Sequence, residues 1–525
     1  MTPAEATTAR VSGSGRHWES CRCRDWVDHV GVKAMITVVP LAGHVGPISG
    51  LVAELVGRGH QVRVYTGSRY RQRFIDLGAT VVTWSAAQDF DEDNLGATFP
   101  LARRPGLLRV LALVRHGFIG TAPGQVRDLG QELERESADV LVADSMSFGG
   151  VLMGELRGLP WALLNVLPFN QSFESGAAGF QVKPAHGALG RLRDRLLRLV
   201  YRAVTYPFKR AYNQARAEIG LPHDRRPYGS VLFSDWLVLA TGCASLDVPR
   251  PDLPERVHLV GRLGLAGAVF PSRAGDGATR PVVVVTQGTH DVDPADLIEP
   301  TLKGLAELDV EVIATSGRRG RTDVGVAPPA NARVVDLIDF ASVFPTTAVF
   351  VTNGGWGGVL ASLAAGVPLV VAPGSAADKP EIAARVARSG AGINLRKRRP
   401  KPDAVADAVR HLLTHPSYRE RARQIGSELD QLGGASAAAD LLERLAETRA
   451  PLRRTGNPWS SPANPAGRGR KRHFHSGQAG TALFDRPLRA AANPSRKTNN
   501  APTIRCRRPR GGAHAQAGVL GRDEP

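Results

Sequence analysis

The chain predicts an α/β protein built as two doubly wound parallel-sheet domains that face each other across a cleft. Three observations carry this. Its 525 residues exceed what one hydrophobic core usually holds. Apolar runs of four to six residues alternate with amphipathic helical stretches, the grammar of βαβ units with right-handed crossovers. That grammar stops and restarts across a segment, residues 249–281, rich in Pro, Gly, Arg, Asp and Ser.

The first domain, residues 35–248, opens with a strand from Met35 to Pro40 (MITVVP). Ile48, Leu51, Val52, Leu55 and Val56 then repeat with the spacing of a helix packed on a sheet, with Pro47 suited to start it and Gly59 to close it. Strands follow at Gln61–Thr66, Thr80–Thr83, Asp139–Ala143 and Trp161–Val166, with a helix at Tyr70–Leu77. The second domain, residues 282–449, restarts at Val282–Val285. A helix then runs through Leu297, Ile298, Leu302 and Leu305, and strands are expected at Glu311–Ala314, Arg333–Val335, Ala348–Thr352 and Leu369–Ala372.

The flanks differ in kind. Residues 1–34 show no period and read as a disordered leader, with Met35 a possible start. Residues 450–525 read as a disordered basic tail: positions 451–525 hold 15 Lys/Arg against 3 Asp/Glu, so most of the formal charge of +18 belongs to them. The tail lacks interleaved aromatics or an amphipathic period, so a nucleic-acid arm is not expected. Only Cys243 lies in the folded region, and Cys21, Cys23 and Cys506 form no C-x-x-C pair, which argues against disulfides and structural zinc. No apolar stretch reaches the length of a membrane span or a signal-peptide core, so a cytoplasmic location is expected.

Ligands of doubly wound sheets sit outside the carboxyl ends of the strands. Five such places hold polar residues. The most informative is Asn353-Gly354-Gly355-Trp356-Gly357-Gly358, between a strand and a helix expected from Val359 to Ala365. Backbone N–H groups at a helix N-terminus suit a phosphate or diphosphate; close strand–helix packing explains the same glycines. Gly43-His44-Val45-Gly46-Pro47 follows the first strand, with His44 expected exposed at the sheet edge and kept neutral by the helix dipole, as a general base or a structural residue. Asp144 ends its strand, where a carboxylate caps the next helix or, beside His44, fixes the imidazole tautomer. Thr286-Gln287-Gly288-Thr289-His290 offers hydroxyls and backbone N–H groups, with Asp293 capping the next helix. In Ala376-Ala377-Asp378-Lys379-Pro380-Glu381, Asp378 either caps a helix running to Ser389 or meets sugar hydroxyls, and Lys379 is a candidate cation. The segment Arg191–Arg216 mixes arginines with Leu192, Leu196, Leu197, Val200, Val204 and Phe208: a surface helix packed on its own domain, or a weak peripheral membrane contact.

From about Met35 to Leu445 these motifs, in this order, resemble the bacterial family 1 glycosyltransferases of the GT-B fold that modify macrolides, flavonoids and other lipophilic natural products. GHVGP resembles the loop that carries the family's catalytic histidine, with Asp144 in the place of its partner aspartate. VTQGT (285–289) resembles the diphosphate-side loop with Gly288 and Thr289, NGGWGGVLASLAAGVPLVVAP (353–373) the donor signature, and ADKPE (377–381) the region that contacts the donor sugar. The resemblance implies an acceptor-binding first domain, a donor-binding second domain, and inverting transfer of a hexose from a nucleotide-diphosphate sugar, UDP-sugar by default, to a hydroxyl of a lipophilic small molecule. His44 would be the base, and no metal, further cofactor or obligate protein partner is implied. Trp161 to Phe169 and Phe180 would wall the acceptor site, or be ordinary core. The last helix would return to the first domain, so that ending the chain near Arg449 would be tolerated.

Departures from the pattern are specific. Asn353 replaces the signature histidine, as an amide still able to donate to phosphate. Ala361 stands where many members place a ribose-binding glutamate, Asp378-Lys379 replaces an Asp-Gln pair, and no aromatic platform lies near Val335. These leave open a catalytically weak homologue acting as a binding or partner protein. A sugar-nucleotide epimerase also remains open, whereas a dehydrogenase is opposed by the absence of G-x-G-x-x-G from the first loop.

Overall fold

The structure, a computed structural model, describes residues 31–103, 111–169, 187–250, 252–264, 280–288, 293–376 and 378–459. Seven parallel strands form the first sheet: β1 (Lys33–Thr37), β2 (Gln61–Thr66), β3 (Thr80–Thr83), β4 (Val140–Asp144), β5 (Trp161–Asn165), β6 (Leu237–Ala240) and β7 (Val257–Leu259), in the order β3-β2-β1-β4-β5-β6-β7. Six more form the second: β8 (Val282–Thr286), β9 (Glu311–Thr315), β10 (Ala332–Val335), β11 (Thr347–Thr352), β12 (Leu369–Val371) and β13 (Gly392–Asn394), in the order β10-β9-β8-β11-β12-β13. Both are doubly wound Rossmann-like sheets. Their buried strands are continuous apolar runs, as sheets covered on both faces require.

In each sheet the winding reverses between two adjacent strands, β1 and β4 in the first and β8 and β11 in the second. The register sets Thr37 opposite Ala143, and Thr286 opposite Thr352. Each reversal opens a crevice at the strand ends, the usual ligand position in such folds. Four of the sequence motifs fall at these ends.

Ten helices of eight residues or more concern us: α1 (Ala42–Gly57), α2 (Ala122–Arg135), α3 (Phe148–Arg157), α4 (Gly187–Glu218), α5 (Ile298–Leu305), α6 (Trp356–Ala364), α7 (Lys379–Ser389), α8 (Pro402–Thr414), α9 (Ser417–Gln431) and α10 (Gly434–Thr448). The closing helix does return to the first sheet. Ala438, Ala439, Leu442 and Leu445 of α10 join the core of Ile48, Leu51 and Leu55, and Arg58 and His60 bond Glu443 at 3.0 and 2.7 Å.

Several boundaries differ from the sequence reading. β1 begins at Lys33, inside the expected leader, where its N–H donates to Asp139 Oδ2 at 2.8 Å. β7 lies within the segment read as linker and extends the first sheet. The start of the expected tail is packed: Leu452 N–H donates to Trp236 O at 2.9 Å, and buried Trp459 donates from Nε1 to Ala244 O at 3.1 Å. Three strands of three or four residues, β6, β7 and β13, escaped the sequence reading; each is short enough to be decided by pairing with its neighbour. No helix of the described residues is long and apolar enough to cross a membrane.

Candidate active site

At the first crevice, GHVGP is not a loop. α1 starts at Ala42, so His44 sits in its first turn and Pro47 lies inside the helix. His44 is buried at 5% exposure, not open at the sheet edge, because β4 holds a carboxylate beside it. His44 Nδ1 lies 2.7 Å from Asp144 Oδ1. A carboxylate only accepts, so Nδ1 carries a proton, and in the neutral ring Nε2 is the nitrogen that keeps its lone pair.

Asp144 is fully buried, and its charge is met by Val39 N–H on Oδ2 at 3.1 Å and Met146 N–H on Oδ1 at 3.3 Å, with Ser145 Oγ at 3.4 Å from Oδ1. Its side chain does not cap α3, whose N-cap, Ser147, makes no side-chain cap bond. A buried carboxylate so held is costly to leave unpaired, which fixes the imidazole in place.

Glu92 was missed by the sequence reading. Its Oε2 accepts from Ala42 N–H at 2.9 Å, putting an acidic group at the N-terminus of α1 where the backbone supplies no acceptor. Tyr70 donates its hydroxyl to Oε1, and burial followed by this carboxylate pushes the Tyr70 phenol well up. Fifty residues separate Glu92 from Ala42, so no local pattern marked it.

At the second crevice two of the four glycines, Gly357 and Gly358, belong to the first turn of α6, while Gly354 and Gly355 precede it. Trp356, Gly357 and Gly358 begin the helix, Gly355 is its N-cap without a side-chain cap, and the first helical bond is Val359 N–H to Gly355 O. The N–H groups of that turn lack helical acceptors and point outward. Gly354 takes φ +87°, a conformation that favours glycine, and a Cβ on exposed Gly357 would meet nothing within 4 Å. The place is open to a ligand.

The neighbouring side chains refine the expectations. Asn353 does not aim its amide at this space: Nδ2 donates to Gln287 O, and Lys379 Nζ donates to its Oδ1 at 3.2 Å. The amide therefore ties the two crevice loops together. Gln287 Oε1 accepts from Leu297 and Ile298 N–H at the start of α5, and Asp293 caps the turn before it through Ala295 N–H. Gly288, at φ +71°, lies against the Asn353 amide. Thr289 lies outside the described residues.

Lys379 Nζ stands 3.5 Å from the position of a Cβ on Gly355, which places a cation beside the open turn of α6. Asp378 occupies the N-cap of α7 yet makes no cap bond, so its carboxylate has no described protein partner. Ala361 lies on the core-facing side of α6.

Trp356 was expected among the donor-binding residues of this run. Its indole is buried and turned to the first domain, donating to Thr241 Oγ1 at 3.0 Å, just past β6, and covering Gly242. Only its backbone faces the crevice. A second tie crosses nearby: Phe169 O accepts from Arg250 at 2.8 Å and from Arg385 of α7 at 2.7 Å, while Arg385 also pairs with Asp247 and Glu381, each at 2.8 Å. Burial, the largest influence, pushes Glu381 up despite Arg385. At Asp247 burial is outweighed by Arg385 and Arg250, which hold it low. Trp161 and Phe169, read as an acceptor wall or as ordinary core, are core residues, and Phe180 lies outside the described residues.

Comparison with known proteins agrees with this fold. The model of the erythromycin biosynthesis protein CIII-like C-terminal domain matches residues 299–434. The chain is 36% identical over 426 residues to 4'-demethylrebeccamycin synthase of Lentzea aerocolonigenes, covering 79% of this chain and 100% of that protein. It is 29% identical over 428 residues to UDP-glucosyltransferase A1 of Starmerella bombicola, covering 78% and 91%. Among solved structures, the glycotransferase of kitacinnamycin superposes with a TM-score of 0.62 at 23% identity, over 79% of this chain and 98% of that one. A relative 36% identical and matched along its whole length, on a fold of two doubly wound sheets, settles the family: the chain belongs to the natural-product type of family 1 GT-B glycosyltransferases.

Proposed function

We propose that the protein transfers a hexose, with inversion, from a nucleotide-diphosphate sugar to a hydroxyl group of a lipophilic small molecule. One observation carries this reading. A His–Asp pair at one crevice and an open helix N-terminus with a lysine at the other belong to domains pinned together by Trp356 and Thr241.

The chemistry follows from those groups. His44 Nε2 takes the proton of the acceptor hydroxyl while its oxygen attacks the anomeric carbon. The bond from that carbon to the diphosphate oxygen breaks, and its electron pair leaves with the nucleoside diphosphate. Asp144 holds the tautomer and stabilises the imidazolium as it forms. The N–H groups of Trp356, Gly357 and Gly358, with Lys379, meet the charge that develops on the leaving group, so the reaction needs no metal and no cofactor beyond its donor. Asp378 accepts from sugar hydroxyls, a role its unused N-cap carboxylate supports. UDP-sugar is the default donor, in keeping with the name of the Starmerella relative.

Commitment of the Asn353 amide to Gln287 favours one second reading, a catalytically weak homologue that binds nucleotide or a partner without efficient transfer. A thermal-shift panel of UDP-, dTDP- and GDP-sugars with NAD as control separates the two, followed by acceptor assays and NMR of the product anomer. A ligand at about 100 times its Kd stabilises by roughly 2.7 kcal/mol, a shift of several degrees. No shift with any nucleotide sugar, or a product of retained configuration, refutes the main reading. Binding without transfer or donor hydrolysis favours the second.

A further inference from the structure

We propose that the outer face of α4 is a docking surface for an anionic lipid bilayer. Among the described residues ten large hydrophobic side chains are exposed, and seven of them belong to this helix: Leu189, Leu192, Leu196, Leu199, Val200, Val204 and Tyr206. Their exposures run from 49% at Val200 to 84% at Leu189. At 100° per residue the seven fall within an arc of about 160°, an apolar stripe along the first twenty residues of the helix that only Arg193 interrupts.

This stripe is not the face by which α4 packs on its domain. That face is Thr205, Phe208, Ala211 and Tyr212, all buried, with Phe208 against Tyr228 at 5.4 Å and Tyr212 against Phe148 at 6.0 Å. The second half of the helix anchors the element, and the first half presents its leucines outward. An exposed patch of this length marks a surface that meets something apolar.

Charge decides what that is. Arg191, Arg195, Arg198 and Arg202 repeat at intervals of four, three and four residues, forming a row along one edge of the stripe, and Arg193 adds a fifth guanidinium. The only carboxylate in this stretch, Asp194, is buried and bonded by Arg193 at 2.7 Å. A second copy laid along the stripe would set one arginine row near another. A nucleic acid would engage the arginines and leave the leucines in water. A bilayer with anionic headgroups uses both: the leucines enter the acyl boundary, Tyr206 sits at the interface, and the arginines meet phosphates. For an enzyme acting on a lipophilic acceptor, the surface holds the protein where such a compound concentrates. The proposal stands on the helix alone, and vesicle binding reads it without any turnover.

The test is flotation of the full chain with phosphatidylcholine vesicles, with and without phosphatidylglycerol, near physiological salt. Binding to the mixed vesicles only is expected. Leu192→Ser/Leu196→Ser/Leu199→Ser and, separately, Arg191→Ser/Arg195→Ser/Arg202→Ser should each lower the bound fraction about tenfold or more, with unchanged circular dichroism and melting temperature. A chain ended after Trp459 should still float. Absence of flotation by the full chain overturns the proposal, as does wild-type flotation of both variants. So does loss of binding when only residues 460–525 are removed, or a leucine variant whose sole change is dissociation of a dimer in light scattering.

Discussion

Trp356 Nε1 donates to Thr241 Oγ1 at 3.0 Å, joining the first turn of α6 to the strand ends of the opposite domain. The same residue thus offers its backbone N–H to the crevice and its indole to the interdomain contact. Trp356→Phe should remove that hydrogen bond and part of the packing over Gly242, at a cost of about 2 kcal/mol. Trp356→Ala also empties a buried site over Gly242 and should cost about 3–5 kcal/mol. Chemical denaturation measures both, and equal effects from the two variants would show that the bond, not the packing, holds the contact.

His44→Gln keeps a donor for Asp144 but supplies no base. Turnover should fall about 10²–10⁴-fold with the nucleoside diphosphate Kd unchanged. Asp144→Asn should also slow turnover, by releasing the tautomer, and leave donor binding intact. Stopped assays beside calorimetry resolve the two quantities; a parallel loss of donor affinity in either variant would contradict the assignment.

Gly357→Ala places a methyl in open space, so the fold should be unaffected while the diphosphate loses its closest approach. Nucleoside diphosphate affinity should drop about tenfold, equivalent to about 1.4 kcal/mol. Lys379→Met should weaken the diphosphate comparably and leave the parent nucleoside unchanged. Calorimetry with UDP, dTDP and the free nucleosides distinguishes charge recognition at α6 from general damage.

Asp247, paired with Arg385 and Arg250 at 2.8 Å each, has a folded-state pKa below its unfolded one. Its contribution to stability is therefore fully present above the unfolded value of about 3.9 and is lost as pH falls through the folded value. Asp247→Asn should lower stability by about 3 kcal/mol near neutrality and flatten the fall in melting temperature between about pH 5 and pH 2. A mutant slope as steep as the wild type would assign acid lability elsewhere.

Ending the chain after Arg449 would uncover the sites of Leu452 and Trp459, which are buried on the first domain. A loss of about 3 kcal/mol or more is expected, against no change for a chain ended after Trp459. Calorimetric melting of the two forms decides this.

Local chemistry made much of the molecule legible. Apolar runs such as Val282–Thr286 and the stripe on α1 encode strand and helix by period alone, and the order of motifs from His44 to Lys379 encodes the family. What lay beyond the sequence was long-range. Asp144 reaches His44 across 100 positions, Glu92 reaches Ala42 across 50, and Trp356 reaches Thr241 across 115. Sequence period places a side chain on a face, but the strand order of the sheet selects its neighbour. Burial of His44 and diversion of the Asn353 amide to Gln287 were settled there, because a buried polar group takes the partner that packing brings to it.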